Sequence, residues 1–248
     1  MARRIIAFVL AGVLGLLVLV GAVRQLTRDT VRDVVLSESA RLETLRQEFA
    51  RLDQTLPPPG RAMGTSCRPG PRVSYSATES YRNPIDVVMR DRLADPLRAP
   101  GFYDFGRSTL ADLVSMPLPG YRERDEDSDR VDDAEAEQLR RFLNAGTVVV
   151  LQFADLRPGT LAPGSSAFFT PGSVTVEALL VELGTGNVLC TARTPARNRG
   201  EMDFLASPAS DRATSAQEKL AYDLRGQAAT AIAAELASRG VGDFSFNV

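Results

Sequence analysis

Several residue spacings in this chain invite a chemical reading. Asp125, Asp127 and Asp129 alternate within RDEDSDRVDDAEAE, as the first, third and fifth ligands of a calcium loop do. That loop requires glycine at its sixth place and glutamate at its twelfth, where this chain has Arg130 and Ala136. The run therefore reads as solvated charge leading into an acidic helix N-terminus, where carboxylates meet the helix dipole favourably. Gly159, Gly164 and Ser165 match the glycine spacing of a phosphate loop, but serine stands where lysine is required and a strand follows instead of a helix. Ser215 precedes Lys219, the single lysine of the chain, by four residues, so the S-x-x-K spacing of serine-lysine catalysis is not met.

The sequence has no histidine. Ser-His-Asp and Cys-His mechanisms need an imidazole, and zinc or iron sites usually recruit one, so these chemistries drop away. We expect no catalytic residue, no cofactor and no metal site. The two cysteines, Cys67 and Cys190, are too far apart for a metal motif. Either they pair, as thiols outside the cytoplasm do, or each is a small buried hydrophobe. A net charge of −2 with dispersed basic residues argues against nucleic acid as a partner. An enzyme that works with carboxylates alone, such as a glycosidase-like pair, stays open as an alternative.

The elements that must position these residues begin with Ile5 to Val23, IIAFVLAGVLGLLVLVGAV, which carries no charge. At 1.5 Å per residue a helix of this length covers about 28 Å, close to the roughly 30 Å hydrocarbon layer. We read it as a transmembrane helix after a short tail, 1–4. The competing reading is a secretory signal cut near Val20-Gly21-Ala22. Arg3 and Arg4 lie on one side, and Arg24, Arg28 and Arg32 on the other, so basic residues do not fix orientation. The expected arrangement is a signal-anchor with the main domain extracytoplasmic.

Residues 24–56 read as a helical stalk. Val31, Val35, Leu42, Leu45, Phe49, Leu52 and Leu56 alternate by four and three, a heptad seam interrupted at Glu38. Such a seam either dimerises the protein as a coiled coil or lies as one amphipathic face against the domain or the lipid. Pro57-Pro58-Pro59-Gly60 ends the helix and opens a linker, 57–71.

Residues 72–248 supply enough apolar sequence, at 44% of the whole chain, for one α/β domain. Val73, Tyr75 and Ala77 alternate as a strand does, and Asn83-Pro84 predicts a helix with Ile85, Val88 and Met89 on one face. Tyr103 and Phe105 fall in a second short strand, and Leu139, Phe142 and Leu143 face inward from a helix over 133–144. Thr147 to Phe153 is a valine-rich run that predicts a central strand. The loop 154–172 is long enough to be a binding surface. Ser173–Leu183 and Val188–Ala196 predict a hairpin, with two turn glycines at positive φ. Pairing Leu183 with Val188 would set Leu179, Val181, Cys190 and Ala192 on one face and bury Cys190. Ser215-Ala-Gln-Glu218 forms a capping box for a helix to about Ser238 that buries Leu220, Leu224, Ala228, Ile232 and Leu236. Phe244, Phe246 and Val248 alternate as a terminal strand. The fold class is α+β.

Strand, loop, hairpin with an acidic-x-x-T-G-x-V turn, then long helix resembles the periplasmic α/β domains of the curli-secretion lipoprotein, the penicillin-binding-protein activator lipoproteins and the amino-terminal domain of the Tol translocation protein. Here Thr147–Phe153, Val174–Ala192 with Glu182, Thr185, Gly186 and Val188, and Ser215–Leu236 carry it. Unlike the lipoproteins, this chain has no lipobox cysteine after its apolar segment. The resemblance implies a non-catalytic module of the cell envelope that docks on other envelope proteins or on itself. A small-ligand sensor domain is the remaining alternative.

Overall fold

The computed structural model describes residues 34, 36–61, 67, 73–77, 85–94, 137, 140–141, 143–163, 168–202 and 212–246. Their elements run α1 (Ser39–Thr55), β1 (Val73–Ser76), β2 (Asp86–Met89), α2 (Asp91–Ala94), β3 (Thr147–Arg157), β4 (Thr160–Leu161), β5 (Phe169–Thr170), β6 (Ser173–Glu182), β7 (Val188–Arg197), α3 (Arg212–Ser238) and β8 (Gly242–Ser245). The content is mixed α/β, with a central sheet and a long C-terminal helix. Among the described residues no helix is long and apolar enough to cross a membrane, and Ile5–Val23 lies outside them.

The branched run of β3 occupies the middle of the sheet, whose order is β2-β3-β6-β7. β2 pairs with β3 in parallel, and β3–β6 and β6–β7 are antiparallel. Alternate residues sort to opposite faces. Val148, Val150, Leu179, Val181 and Leu183 join one core, while Val149, Leu151, Val174, Val176 and Ala178 join the other. Two hydrophobic layers therefore sandwich the sheet, which is why β3 reads as continuously apolar.

α3 covers the second face. Leu220, Leu224, Ala228 and Ile232 are fully buried and Leu236 nearly so, the spacing that the sequence predicts. The helix begins at Arg212, ahead of Ser215, so Ser215 is not its cap. β8 leaves α3 to pair in parallel with β1 as a separate two-stranded sheet, where Tyr75, Phe244 and Phe246 cluster with ring centroids 5.7 to 6.1 Å apart.

α1 covers the first face. Leu42, Leu45, Phe49, Leu52 and Leu56 are buried in the same core as Val148, Val150, Leu179 and Val181 of the sheet. The apolar stripe is thus engaged within its own chain, and the helix on one side of the proline turn shares a core with the strands on the other. Val31 and Val35 of the heptad seam lie outside the described residues.

Other expectations change. Ile85 to Met89 is not a helical face: Asp86–Met89 is strand β2 and every residue of it is buried. Val88 turns to the α1 side while Ile85, Val87 and Met89 turn to the α3 side, so burial on both faces erases the period-two signal. In the hairpin Val181, not Leu183, opposes Val188, and a register shift follows between Leu180 and Val181. One residue of offset flips what lies beyond it. Cys190 and Ala192 consequently face α3, opposite Leu179 and Val181, and Cys190 is buried. Of the turn glycines only Gly186 has positive φ, +75°. The loop 154–172 shrinks too, because β3 continues to Arg157 and β4 pairs with β5 within it. Leu143 is buried from a helical turn before β3, whereas Leu139, Phe142, Tyr103 and Phe105 have side chains outside the described residues.

Candidate functional site

Polar side chains inside the sheet's apolar strands are the first places to look for chemistry. Gln152 interrupts β3 and Glu177 interrupts β6, and register places them opposite one another, with Arg193 of β7 opposite Glu177. Arg90 follows β2 directly and completes a row across all the strands of the sheet. Gln152 Nε2 donates to Glu177 Oε2 at 2.7 Å, and the backbone N–H of Gly60 donates to the same oxygen at 3.0 Å. Arg193 Nε approaches Glu177 Oε1 at 3.5 Å, while Arg193 Nη2 lies 4.0 Å from Asp155. Arg90 donates to Gln152 Oε1 at 2.9 Å and to the carbonyls of Asp53, Leu56 and Pro57. Those carbonyls belong to the last turn of α1 and its exit, which have no intrahelical donors. The row thus fastens the end of α1 and the proline turn to the sheet. Glu177 has no exposed surface; an amide and a backbone N–H donate to its Oε2, while its Oε1 accepts no hydrogen bond and has only the ion pair with the Arg193 guanidinium.

A second knot joins β7 to α3. Asn198, buried just beyond β7, accepts from Gly172 N at 2.8 Å and donates to the Leu220 carbonyl at 2.7 Å and to Asp223 Oδ2 at 2.9 Å. Arg199 gives Asp223 its backbone N–H at 3.0 Å and its Nε at 2.6 Å, and Gln227 adds a longer contact of 3.4 Å. Burial pushes the Asp223 carboxyl up, but the hydrogen bonds from Asn198, Arg199 and Gln227 outweigh it and hold it below the usual aspartate value. Elsewhere burial, aided by the Asp86 carboxylate, pushes the Tyr75 phenol well above its ordinary range.

Cys67 and Cys190 are disulfide-bonded, with Cα atoms 4.6 Å apart. The bond fixes the segment after the proline turn to β7.

Gly159 is a packing glycine: an added Cβ would stand 2.7 Å from Asn198 Oδ1, and its carbonyl accepts from Gln217 Nε2 at 2.6 Å. Gly164, Ser165, Asp125, Asp127 and Asp129 lie outside the described residues. Among the described residues no group of three or more His, Cys, Asp or Glu is placed to hold a metal ion. The E-x-x-T-G turn is also explained locally. Thr185 donates to the Glu182 carboxylate and accepts from Asn187 N, Gly186 N donates to the Glu182 carbonyl, and Arg51 of α1 grips the Leu183 and Gly184 carbonyls at 2.9 and 2.7 Å.

No family model, no curated protein and no solved structure matches this chain. Function must be argued from the residues. Sequence reading passed over Arg90, Gln152, Glu177, Arg193, Asn198 and Asp223, although a lone Gln and a lone Glu inside valine-rich strands were a visible signal of buried pairing.

Proposed function

We propose that this chain is a single-pass membrane-anchored, extracytoplasmic interaction or assembly module of the cell envelope, with Ile5–Val23 as its transmembrane helix and no catalytic role. The observation that carries this reading is the Cys67–Cys190 bond. Disulfides persist in oxidising compartments and are rare in the cytosol, so the bond favours placing the domain on the far side of the membrane that the apolar stretch would cross. The interior polar chemistry is consistent with a non-catalytic role. Glu48, Glu177 and Asp223 each pair with an arginine, Arg41, Arg193 and Arg199 respectively, and two of these pairs tie elements together. Among the described residues, these three carboxylates are therefore better suited to holding the fold than to a glycosidase-like pair, which needs one carboxyl protonated and one ionised beside a substrate cleft. The partners in this reading are the membrane and other envelope proteins or further copies of the chain.

The test is fractionation of cells expressing the full chain, combined with thiol alkylation. The protein should stay in membranes through alkaline extraction, leave them with detergent, and take up two alkyl groups only after reduction. Recovery of the whole chain in the soluble fraction, or alkylation of both thiols without reductant, would refute the proposal.

A further inference from the structure

We infer that the end of the domain where α1 begins, marked by Leu36 and Arg141, rests against the lipid headgroup layer, so that the bilayer covers this surface. The inference depends on the membrane-anchored reading of Ile5–Val23. Val34 is fully buried in the α1-side core, so the domain is already under way eleven residues after Val23. Such a length reaches about 40 Å at full extension and about 17 Å as the helix the sequence predicts, against roughly 45 Å for the width of a domain this large. A tether shorter than the body it holds keeps one end of that body toward its anchor.

Which end that is follows from contacts. Arg41, in the first turn of α1, donates Nε to the Leu143 carbonyl at 2.8 Å, so the helical turn carrying Arg141 sits at the tethered end. From Thr147, just beyond, β3 runs to Arg157, a length of about 36 Å, toward the β4–β5 hairpin and Phe168, which is 75% exposed. The tethered end offers an apolar side chain, Leu36, at 39% exposure, and the Arg141 side chain at 61%, with its partner Glu137 at 56%. This combination suits an interface where phosphates lie above acyl chains. The Arg141–Glu137 pair, 3.4 Å long on the surface, is too weak to withhold the guanidinium from a phosphate.

The experiment uses the full chain in liposomes of phosphatidylcholine and phosphatidylglycerol, with photoreactive benzoylphenylalanine replacing Arg141, Glu137 or Phe168 in turn. Flotation confirms anchoring, and the intact disulfide confirms folding. We expect lipid adducts at positions 141 and 137 in several-fold excess over 168. Equal yields, or an excess at 168, in a chain that floats would overturn this inference and leave the anchor standing. A chain that does not float would overturn both.

Discussion

Asp223 sits where two opposing effects meet, and their balance has a measurable sign. Burial favours its neutral form, while donors from Asn198, Arg199 and Gln227 favour the carboxylate and prevail, so its folded pKa lies below its unfolded one. Stability from this group is complete above the unfolded aspartate value of about 3.9, and it is lost as pH falls through the lower folded value. Asp223→Ala should cost about 2–3 kcal/mol near neutral pH, chiefly because the buried Asn198 Nδ2 loses an acceptor, with a smaller part from the half-buried Arg199 N–H. The exposed Arg199 side chain can return to water and adds little. Urea unfolding across the acid range checks this: the gap between wild type and variant should narrow below about pH 4. At the other knot, Arg90→Met should leave the Asp53 and Leu56 carbonyls at the end of α1 without that donor, for a loss of about 1–3 kcal/mol in the same assay. Neither arginine contact could be read from sequence, because each joins residues more than twenty positions apart.

α1 decides how the element scale is understood. Leucine and phenylalanine at alternating spacings of four and three describe a coiled-coil seam and a core-facing helix equally well, since both need one apolar stripe. The period was legible and the partner was not. With Phe49 1% exposed and joined to sheet valines, Phe49→Ala should lower unfolding free energy by about 3–5 kcal/mol at any protein concentration. A helix serving only a dimer seam would instead give a concentration-dependent loss. The same distinction explains the remaining elements. α3 was legible because one face meets the sheet and the other meets water, which preserves the 3.6-residue period. β2 carries no strand signal because cores on both sides remove any polar alternation from Asp86 to Met89. The hairpin strands are legible in their β-branched runs, but the register shift beside Leu180 and Val181 has no mark in composition, so the face of Cys190 is not.

At the scale of the whole molecule, the disulfide closes a loop of 123 residues. A chain-entropy account gives such a bond about 5 kcal/mol. Much of a domain's net stability would rest on it, since domains typically keep only about 5–15 kcal/mol. Reduction before denaturation should move the unfolding midpoint strongly downward, and Cys67→Ser with Cys190→Ser should reproduce the shift without reductant. The order of the elements along the chain has a consequence in time. α1 emerges early, yet the valines of β3 that cover its stripe come about one hundred residues later, and β6 later still. At synthesis rates of about 5–20 residues per second, Leu45, Phe49 and Leu52 wait roughly 5–20 s for those strands, with Val88 and Leu93 the nearer members of their core to emerge first. During that interval the nascent chain presents bare greasy residues to whatever stands nearest the exit, and helpers that shield newborn segments would determine how much of it reaches the native state.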